Sequence, residues 1–254
     1  MSVDDICFHV LLLMIAIVSN ALSAIAGGGA GLLQLPVIIF LGLPFATALA
    51  THKVASVALG VGASFKHVKS SKLLLPVSAA VVIGGLPGVV LGANTILQIP
   101  EDVAKLSLGC LTVGLGLYSF FRKDLGQESC IKHRDMKGLL VGALGCFVFG
   151  FLNGSLTSGT GLFVTLWMIA WFGFDYRQAT AHTLVLVGLF YNSTGAITLG
   201  LLQSIQWSWL PALILGSLIG GYLGAHLSIV KGNTFIKRIF EATTIAIGIK
   251  LILH

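Results

Sequence analysis

Gly27-Gly28-Gly29-Ala30-Gly31 ends an apolar run over 6–26 and opens another, 32–43, that has only 12 residues. Downstream, Asn153-Gly154-Ser155-Leu156-Thr157-Ser158-Gly159-Thr160-Gly161 stands between an apolar run over 138–152 and a run of 13 residues, 162–174. At 1.5 Å per helical residue the two short runs reach about 18 to 20 Å, against a hydrocarbon core of roughly 30 Å. Each is at best half a span, and each follows a stretch of small residues that interrupts a helix. The remaining apolar runs, 44–65, 73–93, 103–121, 179–202, 209–229 and 235–253, approach or exceed the roughly 20 residues that cross a bilayer as helix.

Composition agrees with that solvent. Of 254 residues 56% are hydrophobic and 9% charged, with a mean hydropathy of +0.98, whereas soluble domains carry about a quarter charged residues. The expected fold is all-α and polytopic. A net charge of +6 would suggest nucleic acid in a soluble protein, but here the cations sit in short loops beside apolar spans, where they orient the chain. No nucleic-acid partner is expected. Cys7, Cys110, Cys130 and Cys146 are far apart with no C-x-x-C spacing, so unpaired thiols and no metal site are expected. Ala24-Ile25-Ala26 resembles a signal-peptidase site, yet Asp4 and Asp5 stand where a signal peptide needs positive charge, so the first run is expected to be retained.

The breaks belong to an internal repeat. Gly29-x-Gly31-Leu32 matches Gly159-x-Gly161-Leu162, and Gly42 before Pro44 matches Gly173 before Asp175. Ala48-x-Ala50-Thr51-His52 matches Ala179-x-Ala181-His182-Thr183, Gly84-Gly85 with Gly88 matches Gly220-Gly221 with Gly224, and Lys105 with Gly116 matches Lys237 with Gly248. The ordered series divides the chain into a first repeat over 1–121, a basic linker over 122–137 and a second repeat over 138–254. If each short run folds back on the run before it as a re-entrant hairpin, three full spans remain per half. Twelve of the 15 cations, Lys66, Lys69, Lys72, Arg122, Lys123, Lys132, Arg134, Lys137, Arg177, Lys231, Lys237 and Arg238, then fall on one side, which the positive-inside rule assigns to the cytoplasm. Both termini come out on the opposite side, and an odd number of crossings per half makes the repeats inverted, as in many secondary transporters.

A helix that begins at Gly31 or Gly161 inside the membrane points backbone N–H groups and a positive dipole end at the interior, a setting for an anion. Gly28, Gly29, Gly31, Gly159 and Gly161 are therefore candidate binding residues, with Ser158 and Thr160 as hydroxyl donors and Asn153 as an amide. Glycines 84, 85, 88, 220, 221 and 224 are expected to serve close helix packing. Thr51, His52 and Lys53, with His182 and Thr183 in the matching place, form a second candidate group. Lys53 either faces a ligand or snorkels to the outer interface. His52 and His182 either carry protons or are hydrogen-bonded structural histidines. Asn192, in the sequon Asn192-Ser193-Thr194, lies too deep for glycosylation and is expected to line the same cavity or to bond between helices. The glycine run lacks both G-x-G-x-x-G and G-K-[ST], and the nine carboxylates lie mostly in loops, Glu241 being the plausible intramembrane acid. Neither an enzyme nor a cofactor is expected.

These residues resemble the TauE/SafE family of sulfite and organosulfonate exporters over essentially the whole chain. The resemblance rests on Gly27 to Pro36, Leu41-Gly42-Leu43-Pro44 and Ala48 to Ser56 in the first half, and on Ser158 to Gly161, Phe172-Gly173-Phe174-Asp175 and Ala179 to Thr183 in the second. It implies secondary export of small sulfur-containing anions across the cytoplasmic membrane by alternating access. An anion channel, or a carrier for another small organic or inorganic anion, is the alternative. The chain departs from the family pattern at His52, where Asn is common, and at Leu184, where a second lysine is common. The expected partners are a small anionic solute and the lipid bilayer; oligomeric state is left open, a homo-oligomer included.

Overall fold

A computed structural model of the chain describes residues 3–70, 73–95, 106, 110, 113–114, 116–156 and 160–253. Every regular element among them is helical. In chain order they are α1 (Val3–Ala26), α2 (Ala30–Phe40), α3 (Phe45–Ser70), α4 (Leu75–Thr95), α5 (Met136–Leu156), α6 (Thr160–Phe172) and α7 (Tyr176–Val185). A π-helical segment, Leu186–Tyr191, continues α7 into α8 (Asn192–Leu202), and α9 (Leu210–Lys231) and α10 (Asn233–Leu253) complete the chain. Residues 116–121 are helical, and most of the sequence run 103–121 lies outside the described residues. Among the described residues six helices are long and apolar enough to cross a membrane: Asp4–Ala26, Phe45–His67, Leu75–Thr95, Met136–Ser155, Tyr176–Leu202 and Trp207–Lys231. The chain is a multi-pass membrane protein. α2 and α6, with 11 and 13 residues, are the short helices that run lengths predict.

Both short helices fold back on their predecessors. Trp171 at the end of α6 donates to the Gly138 carbonyl at the start of α5 (2.9 Å), and Trp167 donates to the Gly142 carbonyl (3.3 Å). In the first hairpin the Asn20 amide donates to Gln34 Oε1 across α1 and α2 (3.1 Å), and Ile38 packs with Leu12 in one apolar cluster. Each short helix stops at a glycine in the left-handed region, Gly42 (φ 103°) and Gly173 (φ 71°), where a side chain would be strained.

The contacts sort the helix ends into two groups. His9 near the start of α1 bonds the Ser208 carbonyl before α9 (3.0 Å), and the Gln206 N–H donates to Thr51 near the start of α3 (3.0 Å). At the other end the Leu74 N–H before α4 donates to His182 of α7 (3.0 Å), and the Arg177 N–H to Asn233 of α10 (2.9 Å). Asn233 in turn donates to the Gln127 carbonyl of the linker (2.8 Å). Thus α1, α3 and α9 begin at one end, and α4, α5, α7 and α10 begin at the linker end.

Glycine faces set the closest packing. α4 lies along α5 through Gly84, Gly88 and Gly92, which meet the backbone of Ala143, Phe147 and Phe151, while α9 lies along α1 through Gly216, Gly220 and Gly224. A side chain at these glycines would push the paired backbones apart and forfeit dispersion contacts. The four cysteines are free thiols.

Candidate functional site

The two helix breaks meet. Gly27, Gly28 and Gly29 have φ of 86°, 133° and 103°, three successive conformations that only glycine adopts at no steric cost. They carry the chain sharply from α1 into α2, and the Gly28 N–H returns to the Ser23 carbonyl (2.8 Å). A Cβ on Gly28 would stand 2.5 Å from the Gly161 Cα, so here two backbones touch without side chains between them. Thr165 of α6 donates its hydroxyl hydrogen to the Gly27 carbonyl (2.7 Å) and lies 2.9 Å from the Thr183 hydroxyl. The start of α6 is thereby tied to the turn that precedes α2.

Beside this junction lies Lys53. Its side chain is fully buried, so it does not snorkel. Nζ donates to Asn153 Oδ1 of α5 (2.5 Å) and to Asn192 Oδ1 of α8 (3.3 Å). No carboxylate among the described residues pairs with it; an ion pair of that kind stands elsewhere, between Lys237 and Glu241 (3.8 Å). Asn153 holds its orientation by donating from Nδ2 to the Thr160 hydroxyl (2.7 Å), which fixes Oδ1 as the face presented to the lysine. Taking a charged lysine out of water costs several kcal/mol, and neutral amide oxygens return only part of that cost.

Gly28, Gly29, Gly31, His52, Asn153, Thr160, Gly161, Thr183 and Asn192 line one small cavity of about 30 Å³ at this place, together with Ser56, Leu59, Leu184, Val187 and Gly188. That volume holds one or two waters, so the site is small. His52 Nε2 lies 3.0 Å from the Ser56 hydroxyl, and its buried Nδ1 has no hydrogen-bond partner. The π-helical segment places Gly188 against Gly60 of α3. The Tyr191 hydroxyl donates to the Val81 carbonyl (2.8 Å), anchoring the segment to α4.

Some expected residues fall elsewhere. Thr51 precedes Lys53 by two residues, about 200° around a helix; its hydroxyl donates to the Thr47 carbonyl (2.7 Å) and accepts from Gln206. The His182 ring points to the linker end, where Nε2 accepts from Leu74 and Nδ1 faces the Gln178 carbonyl (2.8 Å). Both ring nitrogens are thus engaged by the backbone, which is the structural alternative for this histidine. Ser158 and Gly159 lie outside the described residues. Glu241 accepts from Ser119 (2.9 Å) and pairs with Lys237, so it is remote from the cavity. Ser56, Leu59 and Gly188 went unnoticed in the sequence, although they stand one turn or two from His52 and one turn from Asn192, the spacing of a shared helix face.

The family model described as "Sulfite exporter TauE/SafE" matches residues 11–251. The chain belongs to the TauE/SafE family. A "Probable membrane transporter protein" of Haemophilus influenzae is 31% identical over 228 residues, covering 89% of this chain and 88% of that protein. "Probable membrane transporter protein YfcA" of Escherichia coli K12 is 26% identical over 242 residues, covering 95% and 88%. "Probable membrane transporter protein YunE" of Bacillus subtilis is 21% identical over 269 residues, covering 96% and 97%. No solved structure matches the chain. As a TauE/SafE protein the chain is a membrane transporter, and the cavity lies inside the matched region, with Lys53 behind two of its lining residues, Asn153 and Asn192, and not itself in the lining.

Proposed function

We propose that this TauE/SafE transporter is a secondary carrier for small sulfur-containing oxyanions, sulfite or simple organosulfonates, which it moves by alternating access from an inverted pair of repeats. The observation that carries the anion preference is Lys53: fully buried, held by two amide oxygens and, among the described residues, by no carboxylate, beside two helix starts in glycine-rich backbone. A cation would be repelled there and a neutral solute would leave the buried charge uncompensated. The inversion is supported by the grouping of helix ends: α1 and α3 begin opposite the linker, whereas their counterparts α5 and α7 begin beside it. With the linker and its cations cytoplasmic, the direction of export is from the linker end outward.

The test is reconstitution of the full chain into liposomes and measurement of sulfite, simple sulfonate and cationic solute fluxes. Saturable sulfite flux with counterflow by unlabelled sulfite is the expected result. Conduction without counterflow would assign an anion channel, and flux confined to cations or neutral solutes would overturn the anion assignment.

A further inference from the structure

The cavity face of α3 does not end at the cavity. His52, Ser56, Leu59, Ala63 and His67 recur at three- and four-residue steps and form one stripe. Antiparallel to it, α7 runs from Arg177 at the linker end through Thr183 and Leu184 to the π-helical segment beside the cavity. Leu59 and Leu184 line the cavity, and with Ala24, Ala63 and Ala225 they form a separate small apolar cluster. Beyond it, at the linker end, the chemistry changes. His67 and His182 are buried, and His67 lies within electrostatic reach of both Arg177 and His182. The Arg134 guanidinium stands 5.1 Å from the centre of the Phe174 ring, whose other contact is His182 at 4.6 Å between ring centroids.

The two guanidinium groups have little to hold. Arg134 reaches the Phe172 carbonyl at 3.4 Å, while the Nε atoms of Arg134 and Arg177 are buried and without hydrogen-bond partners. Among the described residues no carboxylate pairs with either guanidinium, and the nearby Asp175 carboxylate accepts from the Gln178 N–H (2.7 Å) as the cap of α7. Two planar guanidinium forks with unused donors match an oxyanion better than they match water.

We propose that Arg134 and Arg177, with His67 and His182 around them, form a loading site at the linker end that holds a small oxyanion before the Leu59, Ala63 and Leu184 plug admits it to the Lys53 cavity. The proposal rests on the anion-carrier reading for its transported species but assigns a second, separate binding locus. It makes the route two-step, with a weak guanidinium site outside the plug and the lysine site within.

Sulfite flux in proteoliposomes, measured with sulfite presented to one side at a time, tests it. Arg177→Gln is expected to raise KM about fivefold from the linker side, the effect of losing one partly screened charge near the anion. KM from the opposite side and both maximal rates should stay within about twofold, Arg134→Gln should act in the same one-sided way, and Arg177→Lys should restore most of the affinity. An unchanged linker-side KM in both glutamine variants, or an equal rise from both sides, overturns the loading site. Should the wild-type chain carry no sulfite, the carrier reading fails by itself and the site is read from exposed Cys130, whose N–H bonds Gly173 beside Phe174. In a Cys7→Ser/Cys110→Ser background, an anionic methanethiosulfonate should gain on a cationic one at Cys130. The double variant Arg134→Gln/Arg177→Gln should lower that rate ratio at least about twofold. An unchanged ratio overturns the proposal independently of substrate.

Discussion

The first broken hairpin, α1 with α2, turns through Gly27, Gly28 and Gly29, all at positive φ and without side chains, whereas the second, α5 with α6, carries Asn153 and Thr160 on either side of its turn. Their neighbours differ in the same sense. The helix after the first hairpin brings Lys53, and its counterpart in the second half brings Leu184, with Asn192 two turns further on. In the first hairpin Asn20 Nδ2 lies within hydrogen-bonding distance of the Ala16 carbonyl, Gln34 Oε1 and the Ser217 hydroxyl, between α1, α2 and α9, while Asn20 Oδ1, Ser23 Oγ and Gln34 Nε2 are buried without hydrogen-bond partners. One repeat therefore contributes bare backbone and a cation, and the other contributes neutral oxygens that orient it. On the proposed reading, related halves need not repeat the charge, and a single lysine at the junction would give one anion site where a symmetric pair would give two.

That division of labour can be broken one part at a time, with stability read by thermal unfolding in lipid nanodiscs. The largest loss is expected for Gly28→Val, where a side chain meets both a φ of 133° and the Gly161 backbone. Strain and overpacking together should cost about 3 kcal/mol or more, with transport lost. Asn153→Leu comes next. It removes the shorter of the two lysine contacts and leaves the charge buried with one partner, an expected loss of about 2 kcal/mol, accompanied by at least a tenfold fall in sulfite flux. A smaller effect, about 1 kcal/mol, is expected for Thr165→Val, which frees the Gly27 carbonyl but touches neither Lys53 nor its amides. Should Asn153→Leu prove as mild as Thr165→Val, the second repeat would not be what orients the lysine.

Much of this was legible in residue order. Run lengths alone marked 32–43 and 162–174 as half-spans, because helix rise and bilayer thickness leave no other use for 12 or 13 apolar residues, and α2 and α6 are those helices. The glycines at 84, 85, 88, 220, 221 and 224 announced close packing, and they provide it. Within the candidate site, Gly28, Gly161, Lys53, Asn153 and Asn192 were named from breaks and from the cost of burying polar groups. Thr51 was named for standing beside Lys53 and His182 for the matching place in the second half, but helical geometry sends sequence neighbours to different faces. The π-helical turn at Leu186–Tyr191 left no trace in the sequence, since one wide turn changes no composition or period that a short window can register. Nor did Arg134 and Arg177 signal a common role, because the two lie 43 residues apart, one in the linker and one at the start of α7, among cations already explained by orientation.

The central claim is that the buried Lys53 charge is kept for an anion and not for the fold, and Lys53→Met tests it most directly. Replacing a buried cation by an apolar side chain of similar length is commonly neutral or stabilising. Sulfite flux measured in proteoliposomes beside the unfolding temperature of the same preparation should therefore show a correctly inserted protein, at least as stable as the wild type, with flux reduced about 100-fold or more. Full flux in Lys53→Met, with the protein inserted and stable, would contradict the account.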